Sequence, residues 1–220
     1  NYMCRFFPAV LQMRAMVQRG DLGQIIHVQG HFFQDWLLQA TDYNWRVLAK
    51  EGGKLRAVGD IGTHWIDAVS FILGAKAESV FAHIETFHKT RYRPKGEVQT
   101  FAKVDPKMMV PYQCDTEDFG SVLLKFGKAK HGFTNGVHAN ASISQVAAGW
   151  KCSLALGIYG TKDKLIASGL IWPEAQDILV QKAFLMHQPF GQEYPCGHGA
   201  VVEDAEAAAV VGKGVMGAAG

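Results

Sequence analysis

Little in this sequence is present in excess, and each shortage narrows what the chain can be. Its four cysteines, Cys4, Cys114, Cys152 and Cys196, lie far apart with no Cys-x-x-Cys pair. That spacing argues against a zinc knuckle or a compact disulfide framework, and fits reduced thiols in a cytoplasmic protein. No apolar run reaches the roughly 20 residues needed to span a bilayer, and Asn1 opens no basic-then-apolar leader, so no membrane partner is expected. Charge of neither sign dominates: 22 Lys and Arg against 20 Asp and Glu leave a net charge of +2. With the signs interspersed there is no basic face that would neutralise many phosphates, and nucleic acid is not an expected partner. What remains is an ordinary globular composition, 48% hydrophobic over 220 residues, ample for a buried core.

Periodicity divides the chain into helices early and strands late. Pro8 sits where a first-turn proline is tolerated, and Val10, Leu11 and Ala15, flanked by Met13 and Met16, predict an amphipathic helix stopped by Gly20. Residues 25–33 alternate as a strand, with His27, Gln29 and His31 on one face. In a strand those two histidines stand about 13 Å apart, too far to share a metal ion. Residues 35–58 predict an ordered loop rich in Trp36, Tyr43 and Trp45, and residues 79–87 a further strand. Between 88 and 117, Lys89, Arg91, Arg93 and Lys95 gather around Tyr92, and the acidic Glu97, Asp105, Asp115, Glu117 and Asp118 follow. Such a mixture predicts a solvated surface loop. Short apolar stretches at 121–126, 132–143, 152–159 and 165–167 then predict hairpin-linked strands. The expected fold is α+β: a large, mostly antiparallel sheet with helices packed on one face and the other face available for subunit contacts.

The most informative stretch is residues 59–67, Gly-Asp-Ile-Gly-Thr-His-Trp-Ile-Asp. Ile61, Trp65, Val69 and Ile72 recur as an apolar helical stripe, while Asp60, His64 and Asp67 fall on a neighbouring polar stripe. An imidazole beside carboxylates is a natural proton acceptor near neutral pH. The plainer alternative makes Asp60 a helix N-cap and His64 an ordinary helix histidine. Trp45 and Arg46 likewise divide between a core plug with a simple ion pair and a ring-plus-donor pair of the kind that binds sugars.

Several segments taken in order resemble the C-terminal half of the Gfo/Idh/MocA family of nicotinamide-dependent sugar and cyclitol oxidoreductases. They are Asn-Tyr-Met-Cys-Arg-Phe-Phe-Pro at 1–8, Gly-Asp-Leu-Gly-Gln-Ile at 20–25, Asn-Trp-Arg at 44–46 and Gly52-Gly53, followed by the Asp60 to Asp67 run. Ser-Gln-Val-Ala-Ala-Gly at 144–149 and Tyr-Gly-Thr-Lys at 159–162 complete the set. The resemblance implies that Asp60 and His64 are active-site residues, His64 exchanging a proton with a substrate oxygen. It implies that Trp45 and Arg46 line the cleft shared by substrate and cofactor, with Asp67 on the substrate side. The implied cofactor is NAD or NADP, and no resident metal is expected. The implied ligand is a sugar, cyclitol or related polyol, and the open sheet face implies a homo-oligomer. The family's glycine-rich Rossmann domain and its Glu-Lys-Pro motif have no counterpart in these 220 residues. The chain is therefore expected to be the substrate half of a dehydrogenase, inactive alone.

The family-like domain is expected over residues 1–200. Residues 201–220 end in an apolar run and Gly212-Lys-Gly-Val-Met-Gly217, formally Gly-x-Gly-x-x-Gly, with only three residues beyond it. Such a fingerprint needs a following helix to hold a phosphate, so a disordered, truncated tail is expected there. Two other classes stay open: a non-catalytic oligomerisation or sugar-binding module, and a metal-dependent sugar isomerase or hydrolase using Asp60 and His64 as ligands.

Overall fold

The structure is a computed structural model that describes residues 2–96, 98, 104–170 and 184–189, with residues 169–170 and 184–189 described by backbone alone. Helix α1 (Pro8–Arg19) starts with proline in its first turn, where no amide is needed, and ends at Gly20, whose φ of 84° is the left-handed conformation that closes a helix. Its buried face, Ala9, Val10, Met13, Met16 and Val17, is the expected apolar stripe. The short α2 (Ala49–Gly52) lies in the aromatic loop. Helix α3 (Thr63–Leu73) buries Trp65, Ala68, Val69, Ile72 and Leu73 and closes on Gly74 at φ 65°. Among the described residues no helix is long and apolar enough to cross a membrane.

The strands are β1 (Ile25–Phe33), β2 (Ala77–Glu85), β3 (Thr90–Pro94), β4 (Met109–Gln113), β5 (Phe119–Phe126), β6 (Val137–Ser144), β7 (Ser153–Gly160), β8 (Asp163–Leu170) and β9 (Phe184–Pro189). Seven form one sheet in the order β2-β5-β6-β1-β7-β8-β9. All neighbours are antiparallel except β1 with β6, which run parallel with His27 opposite His138 and Phe33 opposite Ser144. The early strand β1 thus enters the middle of the sheet, between strands made more than a hundred residues later. One face buries Val28, Phe32, Val122, Leu124, Ala141, Ile143, Leu156 and Ile158 together with the apolar sides of α1 and α3. This is the α+β arrangement the sequence predicts.

The other face is open and mixed. His27 stacks on Tyr159 with ring centroids 4.5 Å apart, and His31 lies against Phe33 and Trp150. Phe81 and Leu123, opposite each other on β2 and β5, are 70% and 51% exposed.

The segment 88–117 departs from expectation. It contains the β3–β4 hairpin, with Thr90 opposite Gln113 and Pro94 opposite Met109, and Arg91, expected in solvent, is fully buried. Arg91 Nη2 is 2.6 Å from Asp118 Oδ1, Arg56 also pairs with that oxygen, and both guanidinia are sealed from water. Arg91 and Asp118, which read as part of a solvated mixture, therefore join Arg56 out of water, while Lys89, Arg93, Lys95, Asp105 and Asp115 are exposed as expected. The expected tail at 201–220 lies outside the described residues.

Candidate active site

Asp60 does not cap a helix. Residues Val58–Gly62 form a single π-helical turn that runs unbroken into α3, and the Asp60 amide donates to the Arg56 carbonyl at 2.7 Å. The free amides at the helix start are satisfied instead from outside the helix. The buried Glu117 carboxylate accepts from the backbone amides of Arg56 and Val58, each at 2.8 Å. An anion at a helix N-terminus is favoured by both hydrogen bonding and the aligned peptide dipoles. Asp60 is thereby released from capping and projects toward the aromatic loop.

There it meets two partners. Its Oδ1 lies 3.3 Å from Arg46 Nε, and its Oδ2 accepts from Gln145 Nε2 at 2.9 Å. Arg46 is itself oriented by Asn44, whose side-chain oxygen accepts from the Arg46 amide at 3.1 Å and from Nη1 at 3.2 Å. The guanidinium sits 4.5 Å from the centroid of the Trp45 ring, which is 42% exposed. A Cβ on Gly52 would stand 2.8 Å from the Arg46 Cα and carbonyl oxygen, so only glycine lets the next turn close behind this arginine.

His64 stands one turn beyond Asp60, partly buried. Its Nδ1 is 3.7 Å from the Cys4 sulfur, and the rings of Tyr2 and Phe32 meet it edge-on with centroids 5.3 and 6.4 Å away. Burial lowers its pKa from the ordinary value, and the nearby Asp60 and Asp67 carboxylates only partly oppose that shift. The ring is accordingly neutral at neutral pH, the state that a proton acceptor requires. Nε2 has no hydrogen-bond partner among the described residues, yet it is not sealed from water.

Asp67 has both carboxylate oxygens on Arg5, one contact at 2.9 Å from Nε and a second from Nη2. Arg5 also lies over the Phe71 ring, 5.1 Å from its centroid. This pair ties the segment Met3–Phe6 to α3 and so holds Cys4 against His64.

The structure joins Trp45, Arg46 and Asp60 with Gln145, sets His64 one helical turn on among Cys4, Tyr2 and Phe32, and pairs Asp67 with Arg5. The spacing of 59–67 does not reveal Gln145, Asn44, Cys4 or Glu117. Gln145 and Asn44 lie within segments that carry the family resemblance, but their bonds to Asp60 and Arg46 cross 85 and 2 residues respectively. Cys4 and Glu117 act across 60 and 61 residues, where no periodicity can point.

The donors present suit a polyhydroxylated ligand: a flat ring, a cation and a carboxylate, with a partly buried imidazole one helical turn away. The Arg46 side chain is partly exposed, and the described residues include no glycine-rich phosphate cradle for a nicotinamide cofactor. Among the described residues no group of three or more His, Cys, Asp or Glu side chains is placed to hold a metal ion.

The family model described as the GFO/IDH/MocA C-terminal domain matches residues 10–166. Levoglucosan dehydrogenase of Pseudarthrobacter phenanthrenivorans is 25% identical over 167 residues, covering 76% of this chain and 40% of that protein. Glucose-6-phosphate 3-dehydrogenase of Bacillus subtilis is 27% identical over 106 residues, covering 47% of this chain and 30% of that protein. Among solved structures, a levoglucosan dehydrogenase in complex with NADH and L-sorbose superposes with a TM-score of 0.60 at 20% identity. That match covers 86% of this chain and 45% of the other. The chain spans less than half the length of the curated relatives it matches.

Proposed function

The chain belongs to the GFO/IDH/MocA family through its C-terminal domain, and on that premise we propose that it is the substrate-binding and proton-transfer half of an NAD(P)-dependent oxidoreductase acting on a sugar, cyclitol or related polyol. The observation that carries this reading is the pairing of Asp60, held between Arg46 and Gln145, with a neighbouring neutral His64 whose Nε2 stays open. His64 exchanges the proton of the reacting oxygen, Asp60 holds a substrate hydroxyl or orients the ring, and Trp45 with Arg46 shapes the cleft. Asp67, through Arg5, keeps the wall behind His64 in place. A nicotinamide cofactor, when bound, supplies the hydride acceptor or donor, and Arg46 is the residue of this chain that lines its side of the cleft.

The relatives support a sugar substrate because two of them are named for sugars or a sugar derivative. The choice between NAD and NADP depends on ribose contacts that the described residues do not include. By itself the chain lacks a cofactor platform among those residues, so it is inactive alone. A homo-oligomer forms through the open sheet face, where Phe81 and Leu123 present apolar surface. Localisation in the cytoplasm follows from the reduced thiols expected of its scattered cysteines.

The direct test is His64→Ala in a version of the protein that carries a dinucleotide-binding domain. Loss of a general acid or base lowers kcat by about 100 to 10,000-fold, while the melting temperature stays nearly unchanged because the ring is only partly buried. Near-normal turnover removes His64 from the mechanism. Titration of the 220-residue chain with NADH and NADPH should show no saturable binding, and a tight complex with either would overturn the assignment of the cofactor platform to another domain.

A further inference from the structure

The His64 ring has two unlike edges. Nδ1 faces the Cys4 sulfur at 3.7 Å, whereas Nε2 has no hydrogen-bond partner among the described residues and is not sealed from water. Cys4 is 5% exposed in the turn Met3–Phe6 and is held there by the Arg5–Asp67 pair on the adjacent residue. A neutral thiol is a weak donor and a poorer acceptor, while the lone pair of an sp² ring nitrogen is a good acceptor. Of the two ways to make this contact, S–H to Nδ1 is therefore the stronger. Burial, with smaller contributions from Cys152 and Asp67, pushes the Cys4 thiol up to about 11, so its proton stays on at neutral pH. A neutral imidazole that accepts at Nδ1 carries its own proton on Nε2.

We propose that Cys4 is a positioning residue that fixes neutral His64 in its Nε2–H tautomer and so turns a hydrogen-bond donor, not a lone pair, toward the oxygen of a bound substrate. The inference rests on the reading of His64 as the proton-exchanging group and refines it. In the resting site the ring meets a carbonyl oxygen as a donor. Before it takes a proton from a hydroxyl it must exchange tautomers, with Nδ1–H then directed at the sulfur. Cys4 thereby favours the carbonyl-bound state over the hydroxyl-bound one.

The test is the ¹⁵N chemical shift of each His64 ring nitrogen in histidine-labelled 220-residue chain. It is recorded at about pH 8, above the ordinary histidine value of about 6.5, with signals identified by their loss in His64→Gln. The expected result is a protonated-type shift at Nε2 and an unprotonated-type shift at Nδ1. Cys4→Ser, which keeps an X–H donor, retains that pattern, and Cys4→Ala moves both nitrogens toward averaged values while the other histidines stay put. An Nδ1–H ring or an averaged pair in the unmodified chain overturns the proposal, as does an unchanged Nε2–H ring in a cooperatively folded Cys4→Ala. Should Cys4→Ala fail to fold, the unmodified and Cys4→Ser spectra decide by the same criteria. The tautomer is read without turnover. A normal kcat in His64→Ala would therefore remove the catalytic reading while leaving this result intact, and a wrong tautomer would remove this inference alone.

Discussion

Glu117 is the residue whose loss should reach furthest through this fold. It is 2% exposed, and its carboxylate accepts from the amides of Arg56 and Val58 at 2.8 Å each, at the mouth of the turn that carries Asp60. Hydrogen bonds to a charged partner contribute roughly 1.5–3 kcal/mol apiece, so removing both acceptors in Glu117→Ala costs about 3–6 kcal/mol. That is comparable with the whole stability of a typical domain, about 5–15 kcal/mol, and this variant is expected to fold poorly. Glu117→Gln is the measurable one. It keeps one oxygen for the two amides and turns an NH2 group toward the Arg56 N–H, for a loss of about 1.5–3 kcal/mol. In urea unfolding the midpoint should fall while the slope is unchanged, because the surface exposed on unfolding is the same. Glu51→Gln, at an exposed position, should stay within about 0.5 kcal/mol and serves as control. A Glu117→Gln midpoint indistinguishable from that control would refute the claim that this carboxylate anchors the helix start.

Gly30→Ala places a Cβ 2.0 Å from the Ala155 carbonyl oxygen and 2.7 Å from the Trp65 indole nitrogen, which itself donates to that oxygen at 2.9 Å. Since both neighbours are backbone or a fully buried ring, the expected loss is about 2–4 kcal/mol, read as a lower urea midpoint, and a neutral result would mean that β1 and β7 separate freely. Gln145→Leu removes the donor to Asp60 Oδ2 but leaves Arg46 on Oδ1. In the cofactor-domain version it should raise KM for a polyol more than it lowers kcat, and equal effects on both would place Gln145 in the transition state instead. Acid should destabilise the chain in two stages. Burial lowers the pKa of His64 and His31, so as pH falls below about 6.5 the unfolded chain takes up protons first and stability drops through the folded values. Burial opposes ionisation of Asp118, but the His88 amide and the guanidinia of Arg56 and Arg91 outweigh it and hold the carboxyl below its ordinary value. Its contribution is present above about pH 4 and is lost as pH falls through that depressed value. Urea midpoints measured from pH 8 to 3 should show both steps, with the first flattened in a His31→Gln, His64→Gln double variant. A midpoint constant between pH 7 and 5 would contradict the histidine part.

What could be read in advance lies within single elements, although β3 and β4 read as loop. The stripe of Ile61, Trp65, Val69 and Ile72 is buried as its period requires, and Gly20 and Gly74 stop their helices in the left-handed conformation. The α+β class followed from element order. What escaped depends on contacts between distant segments. The plainer alternative for Asp60, an N-cap, is the role local sequence offers, yet Glu117 supplies the cap from 59 to 61 residues away. Arg91 reads as a solvated charge because its partners, Asp118 and the carbonyls of Leu37 and Gln39, are assembled only by folding. The same limit applies to Gln145, whose side chain reaches Asp60 only once β6 lies beside the helix start.

Residues 116 to 118 link these separate observations into one device. Glu117 holds the amides that begin the helix, and the Asp118 carboxylate gathers Arg56, Arg91 and the His88 amide. The Asp118 carbonyl then accepts from the Gln145 amide at 3.1 Å, and the Gln145 carbonyl accepts from Leu37. One short stretch entering β5 therefore fixes the backbone on both sides of Asp60: the turn that presents it and the glutamine that binds its outer oxygen. An α-helix advances about 100° per residue, so a carboxylate and an imidazole four residues apart would stand about 40° out of line. The wider π turn advances less per residue and carries Asp60 back toward the line of His64. A turn of that kind is a less favourable way to run a helix than the regular ladder. Its persistence here is accounted for by the buried anion that holds its first amides and by the ion-paired hub beneath it.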